Sequence, residues 1–194
     1  MSTLAEIEKV DDHDIIFSLL PFITGVFVNG PPPYWKKALT ARYIIHNVDW
    51  VSMATISTQK GIEGYPFATV KSMSDGPVDN STGVPYFYMS SIELSQQDIN
   101  KDNRRMIPVQ NGTNEYEFAQ DALFAKHPQM KTWPTAHGFF VSKFDIEQIE
   151  VLDFFGGISK VSTEDYFNAS PSSKVKDNIK FNSVGIVDVI YIEQ

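Results

Sequence analysis

The 194-residue sequence predicts a single β-rich domain of the α+β class. Residues Trp50 to Thr58 alternate, with Val51, Met53, Thr55 and Ser57 on one face and Trp50, Ser52, Ala54 and Ile56 on the other. That is the period of a half-buried strand. The strand-like runs that follow are separated by short stretches rich in Gly, Pro and Asp, the punctuation of an antiparallel meander. Aromatic residues make up 13% of the chain, with 14 Phe and 8 Tyr, and such side chains favour pleated surfaces. A chain of this length buries roughly 70% of the surface its unfolded form exposes, so it needs no disulfide or metal to hold a core.

Each element has its own signal. Ile15 to Val28 (IIFSLLPFITGVFV) carries no charge. It is shorter than the ~20 residues of a membrane helix and suits the apolar core of a signal peptide. Residues 1–30 are therefore expected to be a leader, although Glu6, Glu8, Asp11, Asp12 and Asp14 stand where a basic stretch is usual. Pro31-Pro32-Pro33 is a stiff linker and a natural boundary. Trp35 to Asn47 reads as a helix, free of Gly and Pro. After the strand at 50–58, Gly61 to Gly64 supplies a turn, Pro66 to Met73 a second strand, residues 74–83 a loop, and Pro85 to Ser90 a third strand. Residues 92–103 are polar and helical in pattern, and Phe118 to His127 is a second short helix stopped by Pro128. Phe139 to Ile146 and Ile149 to Phe155 are further strands, the latter closed by Gly156-Gly157. The polar, Ser-rich residues 168–178 predict a mobile stretch, and Val184 to Ile192 is a last strand with no evident place.

Composition excludes several kinds of chemistry. The net charge is −8 and the pI about 4.9, which argues against binding nucleic acid through its phosphates. Absence of cysteine removes thiol nucleophiles, thiolate zinc sites and disulfides. None of His13, His46, His127 and His137 has the i, i+4 partner of a metal-binding helix, and each reads as structural. Nucleophile elbows and glycine-rich phosphate loops are absent, and Gly156-Gly157 reads as a plain turn. Asp75, Asp145 and Asp153 stand singly at turns or strand ends, so no catalytic residue is assigned. Trp133-Pro134 is a rigid aromatic element, either an interface anchor or a loop packed on the domain. Asn80-Ser81-Thr82, Asn111-Gly112-Thr113 and Asn168-Ala169-Ser170 are acceptor sequons in turn-like stretches, which makes Asn80, Asn111 and Asn168 candidate glycosylation sites; Pro171 weakens the last.

Four segments together resemble one family. They are Ala41-Arg42-Tyr43 through Ala54-Thr55-Ile56-Ser57-Thr58; Gly64-Tyr65-Pro66-Phe67-Ala68 through Ser74-Asp75-Gly76-Pro77; Gly83-Val84-Pro85-Tyr86-Phe87-Tyr88-Met89-Ser90; and His127-Pro128-Gln129-Met130-Lys131-Thr132-Trp133-Pro134 followed by Val151-Leu152-Asp153-Phe154-Phe155-Gly156-Gly157. Their order and spacing are similar to those of the CREG family, the cellular repressor glycoproteins, over about residues 38–167.

The resemblance implies an FMN-binding split β-barrel with flanking helices, the fold shared with flavin oxidases of the pyridoxamine-phosphate oxidase type. It also implies a secreted or endolysosomal, glycosylated homodimer that acts in growth control and differentiation. Capture by the mannose-phosphate receptor through glycans, and no catalysis with flavin, are further implications. Flavin-binding relatives hold the phosphate with basic side chains just after the third strand. Here that stretch reads Ser90-Ser91-Ile92-Glu93-Leu94-Ser95, and Lys71 beside Glu93 is the one candidate cation, so no cofactor is expected and FMN is disfavoured. A flavin-dependent oxidoreductase on the same fold is the alternative, and a non-functional cytosolic fragment a third. The chain departs from the family after Asn103-Arg104, where the family continues through two barrel strands and a pair of cysteines. The domain is accordingly expected to span residues 31–167, short of two strands, with residues 168–194 a variable tail.

Overall fold

The computed structural model of the chain describes residues 31–101, 106–152, 157–170 and 189–191. The expected leader and most of the expected tail lie outside them. Helix α1 (Lys37–Asn47) leads into β1 (Trp50–Ile56), β2 (Pro66–Ser74) and β3 (Tyr86–Ser90). Helix α2 (Leu94–Lys101) and the short strand β4 (Met106–Pro108) follow, then α3 (Asn114–Lys126) and two single 3₁₀ turns at Pro128–Thr132 and Thr135–His137. Strands β5 (Phe139–Phe144), β6 (Ile149–Leu152) and β7 (Ile158–Val161) precede α4 (Thr163–Asn168) and β8 (Val189–Tyr191).

The result is a mixed α+β fold built on a five-stranded half-barrel sheet of order β1-β2-β3-β5-β4 and a three-stranded sheet of order β7-β6-β8. All strand pairs are antiparallel. The β1–β2 hairpin follows the alternation of its sequence: Met53, Thr55 and Ser57 are buried, while Trp50, Ser52, Ala54 and Ile56 are exposed. Gly61 and Gly64 turn the hairpin at φ values of 93° and 79°, a region that favours glycine. Helix α3 starts at Asn114, four residues before the expected Phe118. Thr113 is its N-cap, its hydroxyl accepting from the Tyr116 N–H, and Glu115 and Glu117 sit in the positive first turn. The sequence pattern did not predict β4, which is three residues long and ends in Pro108; proline is tolerated at such a sheet edge. Strand β8 finds its place beside β6.

Three apolar clusters hold these layers. Ile45, Met53, Met73, Phe87, Met89, Ile99 and Met106 fill the concave side of the large sheet. Val109, Ala119, Leu123, Met130 and Val141 pack α3 against the other side. Ala41, Ile149, Val151, Val161 and Tyr166 join α1 to the small sheet and α4. Four methionines in the first cluster suit an irregular space, because the unbranched thioether adapts where a branched chain does not.

Candidate functional site

The loop between β2 and β3 is held by a dense network of side-chain hydrogen bonds around Asp75. Asp75, fully buried, accepts from Ser81 Oγ (2.5 Å) and the Gly83 N–H (3.1 Å) through Oδ2, and its Oδ1 faces His46 Nδ1 at 2.7 Å. His46 Nε2 faces the Val78 carbonyl at 3.0 Å. A carbonyl only accepts, and a carboxylate only accepts, so both ring nitrogens carry protons and His46 is an imidazolium. The hydrogen bond to Asp75 raises its pKa above the ordinary 6.5 against the opposing cost of burial, with help from the charge of Asp75 and the Val78 carbonyl. Lys126 faces the same region. It donates to the carbonyls of His46 (3.1 Å) and Val48 (2.6 Å) at the end of α1, and burial lowers its pKa.

Arg42 fastens the far side of the loop. Its Nη2 donates to the Ser81 carbonyl (2.8 Å) and hydroxyl (3.1 Å), and Nη1 to the carbonyls of Tyr166 and Phe167, both at 3.4 Å. The Tyr166 hydroxyl donates to the Gly83 carbonyl at 2.7 Å. Burial pushes the Tyr166 phenol well above its usual range. A Cβ at Gly83 would lie 2.6 Å from Arg42 Nε, so only glycine leaves the guanidinium its path. Asp75, singled out in the sequence as a lone carboxylate, is thus the centre of a network whose members come from α1, the loop and α4. Its Ser81, Thr82 and Gly83 partners lie close to it in sequence, and His46 does not.

The flavin-phosphate candidates come together, and with each other. Lys71 lies on the same face of β2 as Met73, and its ammonium is hydrogen-bonded to the Glu93 carboxylate in the turn after β3. Both side chains are partly buried, and the one basic group considered for a phosphate already has a counter-ion from within the chain. A phosphate there would have to displace Glu93 or sit beside its negative charge, and the residues present do not fit the group. Nearby, Asp98 accepts from the Thr58 N–H (2.7 Å), the Thr58 hydroxyl (2.8 Å) and the Thr55 hydroxyl (2.8 Å). Burial alone would raise its pKa; these donors more than offset that and hold it low.

The remaining candidates fall on the surface or in the core. Asn80, Asn111 and Asn168 are all exposed, in the β2–β3 loop, on the turn before α3 and at the end of α4. Thr113, the hydroxyl residue of the second sequon, is also the α3 N-cap. Trp133 packs on the domain, its ring 6.1 Å from Tyr88 and 4.9 Å from Phe139. His127 is buried with Nε2 3.3 Å from the Met73 carbonyl, and His137 is exposed beside Phe139. His13 lies outside the described residues. Among the described residues no group of three or more His, Asp or Glu is placed to hold a metal, and no helix is long and apolar enough to cross a membrane.

Known proteins resemble this chain in both sequence and shape. A family model described as "CREG, beta-barrel" matches residues 32–115 and 105–168. Protein CREG1 of Gallus gallus is 36% identical over 172 aligned positions, which take in 72% of this chain and 90% of the relative. Protein CREG1 of Homo sapiens is 36% identical over 169 positions, covering 72% of this chain and 77% of the relative. Protein CREG2 of Homo sapiens is 34% identical over 177 positions, covering 76% and 61%. Because 72% of 194 residues is about 140, about thirty of the 172 positions hold a residue of the chicken protein and none of this chain. The two matched stretches overlap at residues 105–115, so the interruption falls around the segment that carries β4. Among solved structures, a heme binding protein from Mycobacterium smegmatis superimposes with a TM-score of 0.54 at 17% identity, covering 71% of this chain and 62% of that one. A protein of unknown function from Agrobacterium tumefaciens gives 0.50 at 16% identity, covering 71% and 64%. These two likenesses concern the fold.

Proposed function

From membership of the CREG family, to which this chain belongs, we propose that the protein is a secreted or endolysosomal glycoprotein that works by binding other proteins rather than by catalysis. Growth control and differentiation are its setting, homodimerisation its assembly, and a mannose-phosphate receptor its glycan-dependent partner. Residues 1–30 serve as the leader, residues 31–167 as the split-barrel domain and residues 168–194 as a variable tail. Exposure of Asn80, Asn111 and Asn168 supports the glycoprotein reading, since a glycan needs an outward acceptor with room around it. At Asn111 the neighbouring Gly112 faces open space.

The alternative, an FMN-dependent oxidoreductase of the pyridoxamine-phosphate oxidase type, requires an anion clamp. The observation that weighs against it is the Lys71–Glu93 pair, which spends the candidate cation on an internal carboxylate. The chicken relative's unmatched positions support the reading that two strands of the family barrel are missing here, and among the described residues β1 and β4 are the two outer strands of the large sheet.

Expression of the full chain in eukaryotic cells tests the proposal, by comparing medium and lysate on gels before and after removal of N-linked glycans. A secreted band that shifts on deglycosylation is the expected result. An unshifted band confined to the cytosol would overturn both the leader and the glycoprotein assignment.

A further inference from the structure

The free edge of β1 is a second surface with its own chemistry. In the β1–β2 register Trp50 faces Ser72, Met53 faces Thr69 and Ile56 faces Pro66. Two bonds fix which residues point at β2: the Met73 N–H donates to the Asp49 carbonyl (3.0 Å) and the Ser57 N–H to the Tyr65 carbonyl (2.8 Å). Hydrogen-bonded pairs alternate along an antiparallel ladder. The odd-numbered residues of β1 therefore bond to β2, and the N–H and carbonyl groups of Trp50, Ser52, Ala54 and Ile56 point away from it. Strand β1 is an outer strand of its sheet, and among the described residues no backbone group of another segment reaches these four. The free edge ends at Thr58, whose N–H is taken by Asp98.

We propose that this edge pairs antiparallel with β1 of a second copy of the chain, about a two-fold axis through Met53. The strand is complementary to itself in that register. Trp50 falls opposite the partner's Ile56, and Ser52 opposite the partner's Ala54, so large meets large and small meets small. Trp50 and Ile56 are 57% and 49% exposed in the single chain and gain a cross-strand neighbour. Strand edges are ordinarily protected by lysine, proline or an inward charge, and WVSMATI has none. A two-fold contact between identical strands is isologous and closes at two copies. The proposal takes its partner from the homodimer reading above, and adds the surface.

Sedimentation of the full chain over a range of concentrations tests it. Proline at residue 54 removes an outward N–H and leaves the bonds to β2 in place, so Ala54→Pro is expected to weaken the dimer at least about tenfold, through two symmetry-related bonds. Charge variants at Trp50 and Ile56, each about half exposed, keep every backbone bond and give a second reading should that proline disturb folding, although Trp50 also lies 5.8 Å from the buried His127 ring. Trp50→Lys with Ile56→Lys sets lysine opposite lysine and is expected to yield monomer. Trp50→Lys with Ile56→Glu sets opposite charges across the axis and is expected to restore the dimer. A wild-type dimer that all three variants leave intact would overturn the edge pairing while keeping the homodimer. Failure of the Lys/Glu variant alongside the Lys/Lys variant would overturn the register. A wild-type chain that stays monomeric throughout would overturn both proposals.

Discussion

The β2–β3 loop and the β1 edge treat the same kind of polar group in opposite ways. In the loop one carboxylate, Asp75, takes two donors within the loop and one from α1, while Arg42 reaches four oxygens across two elements. Along β1, four residues turn their backbone groups to a side where the described chain offers nothing. Burial explains the contrast. A polar group inside must find its partner within the fold or cost stability, whereas a group at an edge is served by water or by another strand. The loop is consequently a fixture of the fold, and the edge a place where something else can be added.

Breaking the loop should have the largest effect. Asp75→Ala leaves the His46 imidazolium, the Ser81 hydroxyl and the Gly83 N–H without their acceptor, and should cost about 3 kcal/mol or more of stability in urea unfolding. Gly76 comes next. Its φ is 137°, and a Cβ would lie 2.2 Å from the Asn80 carbonyl oxygen, so Gly76→Ala should cost roughly 1–3 kcal/mol. Thr113→Ala should cost about 1 kcal/mol by removing the α3 cap and should also abolish any glycan at Asn111. Thr113→Ser should keep both, and Asn111→Gln should lose the glycan alone; unfolding curves and gel mobility separate the two roles.

A smaller effect should appear with pH. The folded pKa of His46 is raised above 6.5, so its contribution is complete below that pH and is lost as pH rises through the folded value. The stability difference between wild type and His46→Gln should therefore be larger in mild acid than in mild base, and a difference that grows with pH would contradict the imidazolium assignment. The smallest effect on folding belongs to the edge. In the separated monomer, Ala54→Pro should change unfolding by about 1 kcal/mol or less, because the N–H it removes has no backbone partner among the described residues and only the local backbone must adapt.

Much of the fold was legible where a period was strong. The alternation from Trp50 to Thr58 correctly divided buried Met53 and Thr55 from exposed Trp50 and Ile56, because one face of the hairpin packs on the core. The start of α3 was hidden in Asn111-Gly112-Thr113-Asn114, which reads as a turn, and the cap followed by Glu115 and Glu117 was the available signal. Strand β4 is too short to carry a period. The role of Asp75 was invisible because His46 and Arg42 reach it and its loop from another element, and spacing says nothing about which loop folds over a helix. The Lys71–Glu93 conflict could be read from the sequence as a lone cation near a carboxylate, and the structure brings the two into direct contact. Trp133 could not be assigned to surface or core until Tyr88 and Phe139 stood beside it.

The proposed binding role leans on one contact: Lys71, the candidate cation for a flavin phosphate, is paired with Glu93. Titration of the purified full chain with FMN, followed by quenching of flavin fluorescence, tests this most directly, with Glu93→Gln as the comparison. No saturable binding to the wild type is predicted, and at most weak binding once Glu93 no longer neutralises Lys71. Stoichiometric, saturable binding of FMN by the wild-type protein would show that Glu93 does not close the phosphate position, and would favour the flavin-dependent alternative.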